Sequence, residues 1–191
     1  MQQDLQQLRR DLKKRRALLD PIEITSTSLS IAEKFWHLPC VQRVSNIGIY
    51  MSVAGEIDCG PLIKIGWLRK KRIFAPVLAK NRLNFAPLNP GSKLVQNRFD
   101  ILEPVCRPDD LIGPRQLDVV IVPLLAFDTQ LNRIGMGAGY YDRTFAFSKR
   151  QKLWRRPLLI GVAYSFQRVE NLTARAWDVP LHTVITEQNC F

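Results

Sequence analysis

Two nearly unbroken apolar runs constrain the fold more than any other feature of this sequence. Leu117 to Ala126 reads LDVVIVPLLA, and Leu158 to Ala163 reads LLIGVA. Runs of this kind are typical of strands buried on both faces, as in parallel sheets. A glycine-rich loop and a helical stretch from Tyr140 to about Leu153 separate them. This βαβ pattern predicts an α/β fold with an open, mainly parallel sheet flanked by helices.

The remaining segments fit one domain spanning residues 1–191, without internal repeats. A basic amphipathic helix is predicted over residues 4–19, near the N-terminus. Its apolar stripe is Leu5, Leu8, Leu12 and Leu19, and its basic residues, Arg9, Arg10, Lys13, Lys14, Arg15 and Arg16, are expected on the other faces. Further helices are predicted over about 27–36 and 61–69, and strands over 47–51, 72–78, 83–85 and 184–186. The proline-rich stretch 87–116 is predicted to be mostly loop.

Composition restricts the environment more than the function. The formal net charge is +11 and the pI is about 9.9, which favours anionic partners such as nucleic acid, membrane surfaces or phosphorylated metabolites, or else a merely basic surface. The cysteines have no spacing typical of a zinc site or a disulfide framework: they are Cys40, Cys59, Cys106 and Cys190. No segment resembles a signal peptide, and no run approaches the ~18 apolar residues of a membrane span. We therefore expect a cytoplasmic protein without a membrane partner.

The segment from Arg133 to Arg143, RIGMGAGYYDR, is the candidate for phosphate chemistry. Gly135, Gly137 and Gly139 alternate after a buried strand and before a helix. Glycines allow backbone N–H groups to approach an anion closely, and the flanking arginines can contact phosphate oxygens. The alternative is a turn that only lets helix and strand pack. The loop matches neither a Walker A motif nor the dinucleotide G-x-G-x-x-G motif.

Four blocks of this sequence resemble those of one enzyme family and occur in the same order along the chain. The block VPLLAFD at 122–128 with NRIGMGAGYYDR at 132–143 is similar to the signature of 5-formyltetrahydrofolate cyclo-ligases. Leu8-Arg9 with its basic helix, GIYMSVAGEID at 48–58, and WDVPL at 177–181 leading to 184–186 match the same family in the same order, and IGVA at 160–163 with Gln167 also fits. The resemblance spans nearly the whole chain and implies an ATP- and Mg-dependent ligase of folate one-carbon metabolism.

The resemblance also implies residue roles. The ATP-binding residues would be Arg9, Arg133, Ile134, Gly135, Met136, Gly137, Ala138, Gly139, Tyr140 and Tyr141, with Arg133 and Tyr141 also catalytic. The folate-binding residues would be Met51, Glu56, Met136, Gly137, Ala138, Gly139 and Tyr140. The Mg ligands would be Asp142 and Asp178. Glu56 suits a pterin because a carboxylate accepts hydrogen bonds from paired N–H donors.

The implied reaction closes 5-formyltetrahydrofolate to 5,10-methenyltetrahydrofolate. The γ-phosphoryl group of ATP passes to the formyl oxygen, N10 attacks the activated carbon, and phosphate leaves with ADP as the other product. The expected partners are ATP and a folate, which can carry a polyglutamate tail, bound by a monomer without nucleic acid. The alternatives are a small-metabolite kinase, which would not need Glu56, and a basic nucleic-acid-binding protein, for which no reading motif is present.

Taken singly, several of these residues have simpler explanations. Glu56 would be a solvated turn residue, Asp142 a first-turn acid of a helix, Asp178 a turn cap and Arg9 a surface cation. Trp177 is expected in the core rather than in contact with a ligand. The sequence also departs from the family pattern: a common lysine is replaced by Leu5, a turn glycine by Leu131, a threonine by Cys59 and an aspartate by His182, and Ala138 stands where some members carry lysine.

Overall fold

The computed structural model describes residues 5–53, 55–150 and 157–191. Its centre is a six-stranded sheet whose strands are, in order across it, β10 (Thr183–Ile185), β9 (Leu158–Val162), β6 (Val119–Val122), β1 (Asn46–Gly48), β2 (Arg72–Ala79) and β3 (Arg82–Pro87). Within this sheet β3 alone runs antiparallel to its neighbour. The predicted α/β fold with a mainly parallel sheet flanked by helices is confirmed.

The sheet strands are short, and all but β6, which covers only part of the predicted run 117–126, lie close to the predicted positions. All four residues of β6 and four of the five residues of β9 are buried, as expected for strands covered on both faces. The two apolar runs therefore form the adjacent central strands, with Ile121 opposite Ile160.

The α-helices within the described residues are α1 Leu5–Ala17, α2 Pro21–His37, α3 Pro39–Gln42, α4 Gly60–Leu68 and α5 Tyr140–Phe145. Helix α2 begins earlier than the predicted residue 27, because the Asp20 side chain accepts a hydrogen bond from Ile22 N at 2.6 Å and Pro21 occupies the first turn. Helix α5 ends at Phe145 and continues as a 3-10 turn over Ala146–Arg150. The rest of the predicted helix, to Leu153, lies outside the described residues, as does Ala54.

Two small antiparallel hairpins correct the predictions. The run 117–126 is not one strand: β6 ends at Val122, and β7 (Ala126–Phe127) pairs with β8 (Arg133–Ile134) in a separate hairpin. Pro123 lies at the break, where a proline cannot donate to the ladder. The stretch predicted as loop contains the β4–β5 hairpin, Leu94–Gln96 with Leu102–Pro104, and two 3-10 turns, Pro108–Asp110 and Pro114–Gln116.

Buried side chains fill both faces of the sheet. One cluster packs α2 and α4 against it, and a second packs α5 and the 177–184 segment on the other face. A third, smaller cluster joins α1 to the β7–β8 hairpin: its members are Leu8, Leu12, Ala126, Ile134 and Leu172. The apolar stripe of α1 thus fixes this helix beside the strand that leads into the glycine loop.

The prediction for Arg16 is wrong. The structure buries this residue, on the same face of α1 as Leu8 and Leu12. Arg16 follows Leu12 by four residues, as Leu12 follows Leu8, so the helical period places all three on one face. Its burial requires a partner for the charge, and the candidate site supplies one.

Among the described helices, none combines the length and apolar character needed to cross a bilayer.

Candidate active site

One cavity of about 950 Å³ opens at the carboxyl ends of the central strands. The segments after β1 and β6, the glycine loop, α5, the β4–β5 hairpin and the 172–178 segment contribute to its wall. Ligands of open parallel sheets bind at this edge, because the loops that follow the strands converge there. The cavity is large enough for two small molecules side by side.

Every residue predicted for the site lines this cavity. The set is Arg9, Met51, Glu56, Arg133, Ile134, Gly135, Met136, Gly137, Ala138, Gly139, Tyr140, Tyr141, Asp142 and Asp178. They come from four separate blocks of the sequence, which the fold brings to one place. Their individual roles toward ligands remain predictions.

The glycine loop needs glycine for its backbone conformation. Gly137 has φ +106° and Gly139 has φ +69°, both in the region that side chains rarely adopt. Within the described part of the chain, the backbone N–H groups of Met136, Gly137 and Ala138 have no hydrogen-bond partner. The loop therefore presents unpaired main-chain donors along the cavity wall.

Two arginines hold the loop by its carbonyl groups. Arg9 of α1 donates from Nε to Gly135 O at 3.1 Å, and Arg143 of α5 donates to Ala138 O at 2.8 Å and to Asn81 O at 2.6 Å. Arg9 is therefore not a free surface cation. With carbonyl oxygens turned toward these arginines, the loop is fixed at both ends.

Arg133 and Asp142 form an ion pair at the base of the loop. The Arg133 side chain is only 5% exposed, and its guanidinium lies 2.9 Å from Asp142 Oδ1 and 2.5 Å from Val179 O. Asp142 Oδ1 also accepts from Val179 N at 3.1 Å. Arg133 thus anchors Asp142, in addition to the role toward phosphate that remains a prediction.

Asp178 lies in a turn next to Val179, the residue whose backbone N–H donates to Asp142. Its Oδ2 accepts from Arg175 N at 2.8 Å, which confirms the turn-cap interpretation, while its carbonyl accepts from Lys149 Nζ at 2.8 Å. Both carboxylates line the same cavity. Within the described ranges, no cluster of three or more His, Cys, Asp or Glu side chains is placed to hold a metal ion.

The two tyrosines after the loop occupy different surroundings. The Tyr140 hydroxyl accepts a hydrogen bond from Arg98, and the ring makes an edge contact with Phe99 at 6.0 Å, so it joins the loop to the β4–β5 hairpin. Tyr141 stacks on Phe145 at 6.2 Å. Burial, and secondarily the negative charge of Glu56, raises the pKa of Tyr141, which keeps its hydroxyl protonated at neutral pH.

Glu56 is a buried carboxyl group in contact with an arginine rather than a solvated turn residue. Its side chain is 9% exposed and Arg16 is 7% exposed, with 3.4 Å between Glu56 Oε1 and the Arg16 guanidinium. Glu56 Oε2 accepts from Val53 N at 3.2 Å. Burial raises the pKa of Glu56, and the Arg16 charge opposes that shift.

The structure also corrects the expectation for Trp177. Its side chain is 64% exposed and lines the cavity, with the Arg175 guanidinium 5.6 Å from the ring centroid. It is not a core residue. Sequence reasoning also missed Arg16 and the cavity-facing Phe99; for Arg16 alone a signal existed, the four-residue spacing after Leu12.

The structure shows the local conformation or hydrogen bonding at two of the residues that depart from the family pattern. Leu131, where a turn glycine is usual, has φ +62°, so this turn keeps the left-handed conformation with a side chain present. His182 Nδ1 accepts from Leu159 N at 2.9 Å, beside the parallel strand pair.

The mainly parallel sheet and the cavity at its edge define the class of the protein as an α/β protein with a ligand site at the carboxyl ends of its strands. A model of the 5-formyltetrahydrofolate cyclo-ligase family matches residues 1–187. The chain therefore belongs to the 5-formyltetrahydrofolate cyclo-ligase family, and the predicted family and enzyme class are confirmed.

Individual relatives agree over almost their whole lengths. The 5-formyltetrahydrofolate cyclo-ligase of Haemophilus influenzae is 34% identical over 186 residues, covering 96% of this chain and 97% of that protein. The Escherichia coli K12 protein of the same name is 36% identical over 178 residues, covering 92% and 96%. The NMR structure of Aquifex aeolicus 5,10-methenyltetrahydrofolate synthetase is 32% identical, with a TM-score of 0.81, covering 97% of this chain and 90% of that one.

Proposed function

We propose that this protein uses ATP to close 5-formyltetrahydrofolate to 5,10-methenyltetrahydrofolate, releasing ADP and phosphate. The observation that carries the proposal is the meeting of the glycine loop and Glu56 on one cavity of about 950 Å³. In the proposed reaction the formyl oxygen attacks the γ-phosphorus as the bond to ADP breaks. N10 then attacks the formyl carbon and loses its proton to water or to the departing phosphate, and the C–O bond breaks to release phosphate.

The loop side of the cavity is proposed to bind the triphosphate. Phosphoryl transfer depends mainly on positioning and on neutralising charge. The unpaired N–H groups of Met136, Gly137 and Ala138 are suited to phosphate oxygens, in the manner of other anion-binding loops. Arg9 fixes the loop carbonyl at Gly135 and adds positive charge beside it. Ile134, Gly139 and Tyr140 complete the proposed nucleotide wall.

The Glu56 side of the cavity is proposed to bind the pterin ring. A carboxylate accepts two hydrogen bonds from adjacent N–H groups, and a 2-amino-pyrimidinone ring presents such a pair. Met51 lines the cavity beside it and offers an apolar, adaptable contact to a flat ring. The loop segment Met136–Tyr140 would then contact both ligands, which places the formyl oxygen near the transferred phosphoryl group.

Tyr141 is proposed to act as a hydrogen-bond donor. Its pKa is raised by burial, so the hydroxyl stays protonated and does not serve as a general base at neutral pH. A protonated hydroxyl at this point can donate to a phosphate oxygen or to the formyl oxygen. Arg133, 2.9 Å from Asp142, would stabilise negative charge nearby.

The carboxylates fit a magnesium ion of the type that accompanies ATP. Mg²⁺ prefers oxygen ligands and commonly takes one or two carboxylates, with waters and phosphate oxygens completing its shell. Asp142 and Asp178 line the same cavity as the loop and would hold the ion. When bound, it would neutralise phosphate charge. Arg133 and the turn at Arg175 orient the two carboxylates.

The remaining expectations complete the proposal. We propose a single domain over residues 1–191, acting as a monomer in the cytoplasm on small molecules. The charge of +11 would raise the local concentration of ATP and of a polyglutamylated folate, both polyanions, without a nucleic-acid partner.

The test is direct. Purified protein is mixed with ATP, Mg and 5-formyltetrahydrofolate, and methenyltetrahydrofolate absorbance and ADP release are followed together. We expect both to rise at equal rates and only when all components are present. Rapid ADP release without folate would favour the kinase alternative, and no absorbance change in folded protein would contradict the proposal.

A further inference from the structure

Arg16 contacts Glu56 without lining the cavity itself, and the resemblance implies no role for it. It lies on the inner face of α1 and is buried with its charge. Its Nε donates to Gly55 O at 2.8 Å, and its guanidinium lies 3.4 Å from Glu56 Oε1. A buried arginine in contact with a buried carboxylate requires an explanation, because both charges lose their hydration.

The backbone of the turn at Gly55 packs closely against the end of α1. Gly55 has φ +77°, and a Cβ at this position would come within 3.2 Å of Arg16 O. The glycine therefore lets the turn pack directly on the end of α1, while the Arg16 side chain bonds back to the turn. Together with Val53 N, which donates to Oε2 at 3.2 Å, Arg16 fixes the position of both carboxylate oxygens.

The other groups facing Glu56 carry no charge at neutral pH. They are Tyr50 after β1, Cys59 before α4, Tyr141 of α5 and Tyr164 after β9. Burial raises the pKa of each of these four, which keeps the hydroxyls and the thiol protonated. Among the described residues, Arg16 is thus the cation that balances Glu56.

We propose that Arg16 is a positioning residue for substrate binding: it holds Glu56 as an oriented anion, so that the carboxylate can accept the paired N–H donors of a pterin. This inference rests on the proposed function of Glu56 in folate binding. Arg16 itself does not touch the ligand. Without its charge, a carboxylate surrounded by neutral buried groups would take up a proton and lose one acceptor oxygen.

The experiment measures the dissociation constant of 5-formyltetrahydrofolate without ATP between pH 5.5 and 8.5. Four proteins are compared: wild type, Arg16→Gln, Arg16→Lys and Glu56→Gln. In the wild type, affinity falls only on the acid side, as Glu56 takes up a proton. Arg16→Gln keeps a donor for Gly55 O but removes the charge. We expect a midpoint about one pH unit higher, which makes binding about tenfold weaker at pH 5.5, about two- to fivefold weaker at pH 7 and close to the wild-type value at pH 8.5.

The controls separate positioning from simple destabilisation. Arg16→Lys retains the charge and is expected to keep the wild-type midpoint, whereas a merely structural defect would weaken binding equally at every pH. Glu56→Gln is expected to bind weakly and without this pH dependence. If Glu56→Gln binds folate normally, the proposed function of Glu56 fails. If Glu56→Gln is impaired but folded Arg16→Gln keeps the wild-type profile, the inference about Arg16 is overturned.

The wild-type profile is informative even if Arg16→Gln does not fold. Arg16 can position an anion only if Glu56 is ionised at neutral pH, so the midpoint must lie below about pH 7. A wild-type midpoint above this value would overturn the inference without any Arg16 variant.

Discussion

The two sides of the cavity are built on opposite principles. The glycine loop is exposed and depends on backbone conformation: a Cβ at Gly137 would meet no atom within 4 Å in the described part of the chain, yet φ is +106°. The Glu56 side is buried and depends on charge, with Arg16 and Glu56 each less than one-tenth exposed. We therefore expect the proposed nucleotide side to be disrupted most easily by backbone strain, and the proposed folate side by a change of charge.

The largest expected effect is on the charged side. Glu56→Gln should lower kcat/KM for 5-formyltetrahydrofolate about 100-fold, because hydrogen bonds to a charged acceptor contribute about 1.5–3 kcal/mol each. The KM for ATP should remain near the wild-type value. Steady-state kinetics with each substrate varied in turn measure this split.

Glu187→Gln provides the matched control for Glu56→Gln. The Glu187 carboxylate accepts from Ser165 N at 3.0 and 3.2 Å, but it does not line the cavity. It should lower thermal stability without changing either KM. A pure ATP-affinity defect in Glu56→Gln would contradict the assignment of the two sides.

On the loop side, Gly137→Ala should raise the KM for ATP or lower its kcat/KM about tenfold. Forcing a side chain into a sparsely populated backbone region costs about 1–3 kcal/mol, so the loop would move away from the geometry that presents its N–H groups. Folate affinity without ATP should be unchanged. Isothermal titration with each ligand separately would distinguish the outcomes.

The control for Gly137→Ala is Gly91→Ala. Gly91 has φ +81° and equally open surroundings, and it does not line the cavity. The same strain should therefore lower stability by about 1 kcal/mol without affecting ATP binding. Equal effects of Gly137→Ala and Gly91→Ala on the kinetics with ATP would contradict the proposed role of the glycine loop in ATP binding.

The buried side of the cavity should also make the stability of the protein depend on pH, through the Tyr164 hydroxyl. Burial raises the pKa of Tyr164 from 10.0 to about 12. Above pH 10 the unfolded chain releases this proton while the folded chain keeps it, so stability present below pH 10 is lost as pH rises through 12. Between pH 10 and pH 12 the thermal unfolding temperature should fall more steeply in the wild type than in Tyr164→Phe. Parallel plots of unfolding temperature against pH for the two proteins would contradict the burial of this hydroxyl.

The smallest effect is expected at Trp177, on the cavity wall. Its emission should change when ATP or folate binds, because its exposed ring would lose contact with water. Trp177→Phe should abolish most of the fluorescence change while lowering kcat/KM only about twofold. The measurement is made in a Trp154→Phe background, because Trp154 lies outside the described residues. Trp36 is buried and Trp67 is half-buried outside the cavity, so a signal that persists when Trp177→Phe is added would place the ligands elsewhere.

The sequence predicted the elements with long-range apolar patterns and missed those decided by tertiary contacts. The strands β6 and β9 were predicted because continuous apolar runs directly reflect burial on both faces. The β4–β5 hairpin was missed because prolines and short strands hide its pairing. Pro123 interrupts an apolar run that otherwise reads as one strand.

Among the site residues, too, those with a sequence pattern could be predicted and those decided by tertiary contacts could not. The glycine loop and Glu56 were found because they belong to blocks similar to a known family. Arg16 was placed on the wrong face because its charge outweighed its helical position, and burial of that charge depends on Glu56, which is 40 residues away in the sequence. Trp177 was expected inside because tryptophan is usually well buried, whereas here it faces a cavity.

The most direct test of the account is a structure of this protein with a non-hydrolysable ATP analogue, Mg and 5-formyltetrahydrofolate. We predict that the terminal phosphates contact the backbone N–H groups of Met136 to Ala138, and that the pterin N–H groups contact Glu56. The formyl oxygen should then point toward the γ-phosphate. A triphosphate bound away from the glycine loop, or a pterin bound away from Glu56, would contradict the account.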